Sequence, residues 1–147
     1  MNTTLRFAST LVIALALSGT SMAQPAAADP GAPPPPRVHN QGGVEYLNGG
    51  AGEEARRQIA AEGADFPLRI VFSVAGGAYA VADHVDIAKA GSKVLGVDGA
   101  GPLLVVKVPP GDYTVEVTTA GKSERRPIRV GSQAVTLNWR LPGDAKP

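Results

Sequence analysis

The run Val105-Val106-Lys107-Val108-Pro109-Pro110-Gly111-Asp112-Tyr113-Thr114-Val115-Glu116-Val117 reads as two β-strands joined by a turn. Tyr113, Val115 and Val117 fall on one face and Asp112, Thr114 and Glu116 on the other, the period of two expected of a strand with one side in a core and one in water. Pro109 and Pro110 end the first strand because neither can donate to a ladder, and Gly111 supplies the free φ needed to turn back.

The same alternation recurs from Phe66 to Leu141. Leu68, Ile70, Phe72 and Val74 alternate with Arg69, Val71 and Ser73, which predicts a first strand with its even positions inward, turned by Gly76-Gly77. Tyr79 to Lys89 follows, with Val81, Val85 and Ile87 sharing a face with Asp83. Ser92 to Val97 is a shorter strand, and Asp98-Gly99-Ala100-Gly101 reads as the turn before Leu103 to Val108. After Tyr113 to Thr119, Gly121-Lys122 makes a turn into Arg125 to Val130, with Ile128 and Val130 inward. Gln133 to Leu141 is the last strand, with Val135, Leu137 and Trp139 on one face. Seven short strands broken by Gly or Pro predict an all-β, seven-stranded antiparallel β-sandwich rather than a βαβ fold. The expected core is Leu68, Ile70, Phe72, Val85, Ile87, Leu104, Val106, Tyr113, Val115, Ile128, Val135 and Leu137.

Pro109-Pro110-Gly111-x-Tyr113, Val85-Asp86-Ile87 and Asp98-Gly99 resemble motifs of the carboxypeptidase regulatory-like domain, a small prealbumin-like (Ig-like) β-sandwich. The resemblance covers about residues 66–130, roughly half the chain. It implies a sandwich without catalysis of its own, since this domain is the non-catalytic neighbour of a zinc enzyme. The motifs speak to fold and hardly to chemistry.

Four further regions flank the domain expected over 66–141. Residues 1–23 look like a secretory signal: Arg6 is a short basic start, Phe7 to Leu17 is mostly apolar, and Ser21-Met22-Ala23 is a small-x-small cleavage site, so the mature chain is expected to begin at Gln24 and to be periplasmic or extracellular. The apolar stretch is too short to span a bilayer, and no later segment is apolar enough to do so. Residues 24–37 are a Pro/Ala-rich linker expected to be a disordered spacer, its proline run favouring polyproline II. Residues 38–65 form an N-terminal extension with an extended piece around Val44 to Leu47 and a short helix from Gly52 or Glu53 to Glu62. Glu53 and Glu54 suit the start of that helix and Gly63 its end. Residues 142–147 are a tail. The segment Tyr46 to Glu53 also resembles one that precedes the sandwich in a group of small secreted bacterial proteins.

Charge and residue types narrow the function. Losing the signal removes only Arg6, leaving thirteen basic residues against thirteen acidic ones, without the cationic excess of a nucleic-acid binder. There is no cysteine, hence no disulfide framework and no lipoprotein anchor. Gly49-Gly50-x-Gly52 lacks the Lys-Ser or Lys-Thr of a phosphate loop and reads as a turn needing positive φ. A metal site needs several converging ligands, and His39 and His84 are the chain's two histidines. His84 and Asp86, two apart on one strand face, could share an ion, but one pair is not a site. No Ser stands in a Gly-x-Ser-x-Gly elbow. Glu53 with Glu54, and Asp83 with Asp86, are the available carboxylate pairs; the first suits a helix start and the second has opposite strand parity. Transthyretin-like hydrolases share the sandwich architecture but end in Tyr-Arg-Gly-Ser, whereas this chain ends Leu141-Pro142-Gly143-Asp144-Ala145-Lys146-Pro147.

The expectation is therefore a non-catalytic binding or assembly module with no cofactor, no metal, no catalytic residue and no nucleic-acid partner. The alternative is a small envelope hydrolase. Their discriminator is spatial: His84 in a concave pocket within reach of a Ser or two carboxylates favours catalysis, and His84 on an open sheet face does not. Lys122, Arg125, Arg126, Arg129 and Arg140 crowd the last two strands, and Arg125, Arg129 and Arg140 point outward as a candidate basic face for a protein or an anionic envelope polymer. Charge that protects a strand edge is the competing explanation of the same residues. Trp139 is expected in the core or at its rim, with exposed sugar stacking as the functional alternative.

Overall fold

Leu68, Ile70 and Phe72 are fully buried while Arg69, Val71 and Ser73 are half-buried, the two-residue period of a strand covered on one face. A computed structural model describes residues 35–143. The signal, the spacer up to residue 34 and the tail from residue 144 lie outside the described residues. In chain order the elements are β1 (Val38–Gln41), β2 (Val44–Gly49), α1 (Glu53–Glu62), β3 (Leu68–Ser73), β4 (Ala82–Lys89), β5 (Ser92–Ala100), β6 (Leu103–Lys107), β7 (Gly111–Thr119), β8 (Lys122–Val130) and β9 (Val135–Arg140). They form a five-stranded sheet in the order β1-β2-β6-β3-β9 and a four-stranded sheet in the order β5-β4-β7-β8. Among the described residues no helix is long and apolar enough to cross a membrane.

The all-β, two-sheet architecture agrees with the sequence reading, with two corrections. The described chain has nine strands rather than seven: β1 and β2 precede the expected domain, and β2 is hydrogen-bonded to β6 from Glu45 opposite Lys107 to Gly49 opposite Leu103. The sandwich is also not wholly antiparallel, because β9 runs parallel to β3 from Leu68 opposite Val135 to Ser73 opposite Arg140. A parallel pair needs a long crossover between its strands, and β4 to β8 supply it.

The inner faces of the two sheets meet in one cluster that contains Leu68, Ile70, Phe72, Val85, Ile87, Leu104, Val106, Tyr113, Val115 and Trp139. Ile128, Val135 and Leu137 pack on it only partly buried, because β8 and β9 are edge strands. Trp139 is 1% exposed, so it is a core residue and not an exposed stacking platform. Val81 and Asp83 do not share the inner face expected of them: β4 begins at Ala82, which is buried, while Asp83 is exposed and its Oδ2 accepts from the Ala120 N–H at 2.8 Å.

A second cluster lies on the other side of the five-stranded sheet, where Ile59 of α1 packs with Leu47, Phe66, Leu103 and Val105. The helix makes a weak apolar stripe and persists by burying Ile59 completely. Gly50, at φ 95°, turns the chain from β2 toward α1, and its carbonyl accepts from Arg56 Nη1 at 3.0 Å. Pro36 is buried and its carbonyl accepts from Gln58 Nε2 at 3.2 Å, so chain expected to be spacer is already attached to the fold at this point.

The turn at Pro109-Pro110-Gly111 is fastened from inside the core. Tyr113, buried on the inner face of β7, donates its hydroxyl to the Pro109 carbonyl at 2.6 Å, which satisfies the one polar atom of a core aromatic. Removing that hydroxyl in Tyr113→Phe is expected to cost about 0.5–1.5 kcal/mol in urea unfolding without changing the m-value.

Candidate functional site

The outer face of the four-stranded sheet is built in rows by strand register. Asp98 stands opposite His84, His84 opposite Thr118, and Thr118 opposite Ser123. Two residues along, Gly96, Asp86, Glu116 and Arg125 form the next row, and Asp112 faces Arg129 further on. The Asp98-Gly99 turn expected from sequence is corrected here: β5 continues through both residues to Ala100, and this extension sets Asp98 beside His84.

His84 holds a carboxylate at each ring nitrogen. Nδ1 lies 2.5 Å from Asp98 Oδ1 and Nε2 lies 2.9 Å from Asp86 Oδ1. Ionised carboxylates only accept, and the imidazolium is the form of the ring that can donate from both nitrogens to meet two of them. The hydrogen bonds to Asp98 and then Asp86 raise the His84 pKa above its ordinary value, against a smaller opposing effect of burial. Burial pushes the Asp86 carboxyl upward, but its bonds to Lys93 and His84 outweigh this and hold it below the ordinary range. Lys93 Nζ sits 2.6 Å from Asp86 Oδ1. Gly96 makes this approach possible, since a Cβ there would come within 2.7 Å of Lys93 Cε and 3.0 Å of Asp86 Oδ1.

The two halves of the discriminator for His84 point in different directions. Two carboxylates are in reach, but the ring lies on an open sheet face with its side chain 31% exposed, and Asp98 is 94% exposed. With both nitrogens engaged, the ring has no free lone pair with which to take a proton from Ser123 or Thr118, whose hydroxyls bond each other at 2.7 Å. Nor do the three groups converge on an ion, because Nδ1 and Nε2 point to opposite sides of the ring; among the described residues no group of three His, Cys, Asp or Glu side chains could hold a metal. His39 lies apart from them, stacked on Tyr46 with ring centroids 5.1 Å apart. Beside the cluster a shallow depression of about 320 Å³ is lined by Asp86, Ala88, Lys93, Thr114, Glu116 and Arg125.

The candidate basic face is divided between the sheets. Arg125 and Arg129 stand on β8 in the four-stranded sheet, whereas Arg140 stands on β9 in the other. Arg125 Nε pairs with Glu116 Oε2. Arg129 grips Asp112 at 2.7 and 3.2 Å, and this bond holds the Asp112 carboxyl below its ordinary range. Arg126, also in the basic crowd, pairs with Glu124 at 2.8 Å, lies 4.3 Å from the Trp139 ring centroid and donates to the Asn138 carbonyl at 3.4 Å, tying β8 to β9. Glu53 and Glu54 both pair with Arg57 on α1.

These pairs make stability depend on pH in two windows. The contribution of His84 is complete below its unfolded pKa of about 6.5 and is lost as pH rises through its higher folded value. That of Asp86 is present above its unfolded value of about 3.9 and is lost as pH falls through its lower folded value. Thermal unfolding of the wild type is expected to move to lower temperature as pH rises from about 6 through the His84 titration, and His84→Gln to flatten that slope. Parallel curves for the two proteins would contradict the bridged imidazolium.

Compared with protein-family models and with curated proteins, the sequence matches none.

Proposed function

We propose that the protein is a non-catalytic binding or assembly module of the periplasm or cell exterior, built on a prealbumin-like sandwich akin to the carboxypeptidase regulatory-like domain. The observation that carries this reading is the engagement of both His84 nitrogens by Asp98 and Asp86. A histidine held as a doubly bonded cation ties β4 to β5 instead of shuttling protons. The sandwich type is supported by Pro109-Pro110-Gly111-x-Tyr113 and by the bond from the Tyr113 hydroxyl to the Pro109 carbonyl. Export is supported by the charge, apolar run and cleavage pattern of residues 1–23; mass spectrometry of envelope fractions is expected to find Gln24 at the N-terminus, and an intact Met1 on a cytoplasmic form would contradict it.

The test of function has two arms. Immobilised mature protein is expected to retain a saturable partner from envelope extracts, and Arg125→Gln with Arg129→Gln to leave retention unchanged, because both guanidinia are already matched by carboxylates. Hydrolysis of p-nitrophenyl esters and phosphates is expected to be the same for wild type and His84→Gln. Turnover that depends on His84 would replace this reading with that of an envelope hydrolase.

A further inference from the structure

We propose that the outer face of the five-stranded sheet, at Tyr79 and Arg140, binds a carboxylated polysaccharide. The inference rests on the binding-module reading and gives it a surface and a ligand class.

The arginines divide into two sets. Arg125, Arg126 and Arg129 on the four-stranded sheet each meet a carboxylate, as does Arg57 on α1. Arg37, Arg56, Arg69 and Arg140 make no ion pair among the described residues, although the mature chain has as many acidic as basic side chains. Of these, Arg56, Arg69 and Arg140 stand on the outer side of the five-stranded sheet. Ser73 stands opposite Arg140 in the parallel β3–β9 pair and is bridged on its other flank to Tyr79. Tyr79, Ser73 and Arg140 thus occupy three adjacent backbones, a row about 10 Å wide at about 4.8 Å per strand.

Tyr79 is 47% exposed, and the Arg56 guanidinium lies 4.7 Å from its ring centroid. One cation therefore stands at each end of the row. Asn138 continues the outer face along β9, and Arg69 lies four residues before Ser73 on β3, about 13 Å away. Its Nε is buried without a hydrogen-bond partner, a donor left unmatched by the protein.

Guanidinia favour carboxylates in fork-like pairs. Here the Tyr79 backbone, whose ring carries Arg56 over it, and the Arg140 backbone stand about 10 Å apart, with the Ser73 hydroxyl, the Tyr79 phenol and the Asn138 amide beside them. A ligand that fits carries carboxylates among neutral hydroxyl groups, as a uronic-acid polymer does. A nucleic-acid strand carries a charge about every 3.4 Å and would set unmatched phosphates against Ser73 and Asn138.

The experiment is calorimetric titration of the mature protein with oligogalacturonate, with dextran and polyphosphate as the neutral and densely charged comparisons. Saturable binding of oligogalacturonate, weakened at least tenfold in Arg140→Gln and in Arg56→Gln with Arg140→Gln, is the expected result. Arg140→Gln alone keeps the test independent of folding, since Arg140 is exposed and its side chain has no hydrogen bond among the described residues. Arg125→Gln with Arg129→Gln is expected to bind as wild type. Equal loss in both double variants, or polyphosphate binding as tight as oligogalacturonate, would overturn the proposal in favour of plain charge attraction. Absence of oligogalacturonate binding, with a partner still captured from envelope extracts, would overturn this ligand while leaving the binding-module reading in place.

Discussion

Phe72→Ala is expected to lower unfolding free energy by about 3–5 kcal/mol. The ring is fully buried among residues of both sheets, on a strand with β9 on one side and the chain from Tyr79 to Ala80 near its other flank. Its amide bonds the Pro102 carbonyl and its carbonyl accepts from Ala80 on one flank, and β9 pairs along the other, so the backbone around the vacated space is held on both sides and cannot easily collapse inward. Deleting a buried ring costs the transfer free energy of the lost atoms and an added cost for the cavity that remains. Urea unfolding of wild type and variant measures it; a loss below about 1 kcal/mol would place Phe72 outside the core.

Ile59→Ala is expected to have the next largest effect, about 2–5 kcal/mol. The helix has ten residues, too few to persist alone, and of these Ile59 alone is buried. The substitution removes the main apolar contact of α1 with Leu47, Phe66, Leu103 and Val105. Hydrogen exchange distinguishes this from a general loss of stability: amides of α1 are expected to lose protection more than those of β4 and β7. Equal loss throughout would mean that the helix and sandwich unfold only together.

The strands that face the inter-sheet core were legible because inward and outward residues alternate, as along Leu68–Ser73 and Gly111–Thr119. β1 was not, because all four of its residues are exposed and leave no apolar period. Asp98-Gly99 carries a true backbone signal, since Gly99 takes φ 60°, but that conformation occurs at the penultimate residue of β5, whose pairing with β4 continues to Ala100. The error concealed the candidate site: His84 and Asp86 are neighbours in sequence, whereas Asp98 reaches them only through strand pairing.

The basic residues show the same limit. A two-residue loop at Ala120-Gly121 sets Thr119 opposite Lys122, and counting back from it sets Glu116 opposite Arg125 and Asp112 opposite Arg129. Placing the turn one residue later hides both pairs. That Arg140 belongs to the other sheet follows only from the parallel pairing of β9 with β3, which no local pattern announces.

The central claim is that His84 is a doubly bonded cation, and nitrogen-detected NMR titration of its ring tests this most directly. The account predicts N–H signals at both Nδ1 and Nε2 at neutral pH, with a pKa above the ordinary value of about 6.5 that falls toward it in Asp98→Asn. A neutral ring at pH 7, with one bare nitrogen and a pKa at or below the ordinary value, would contradict the account and return His84 to the role of a proton acceptor.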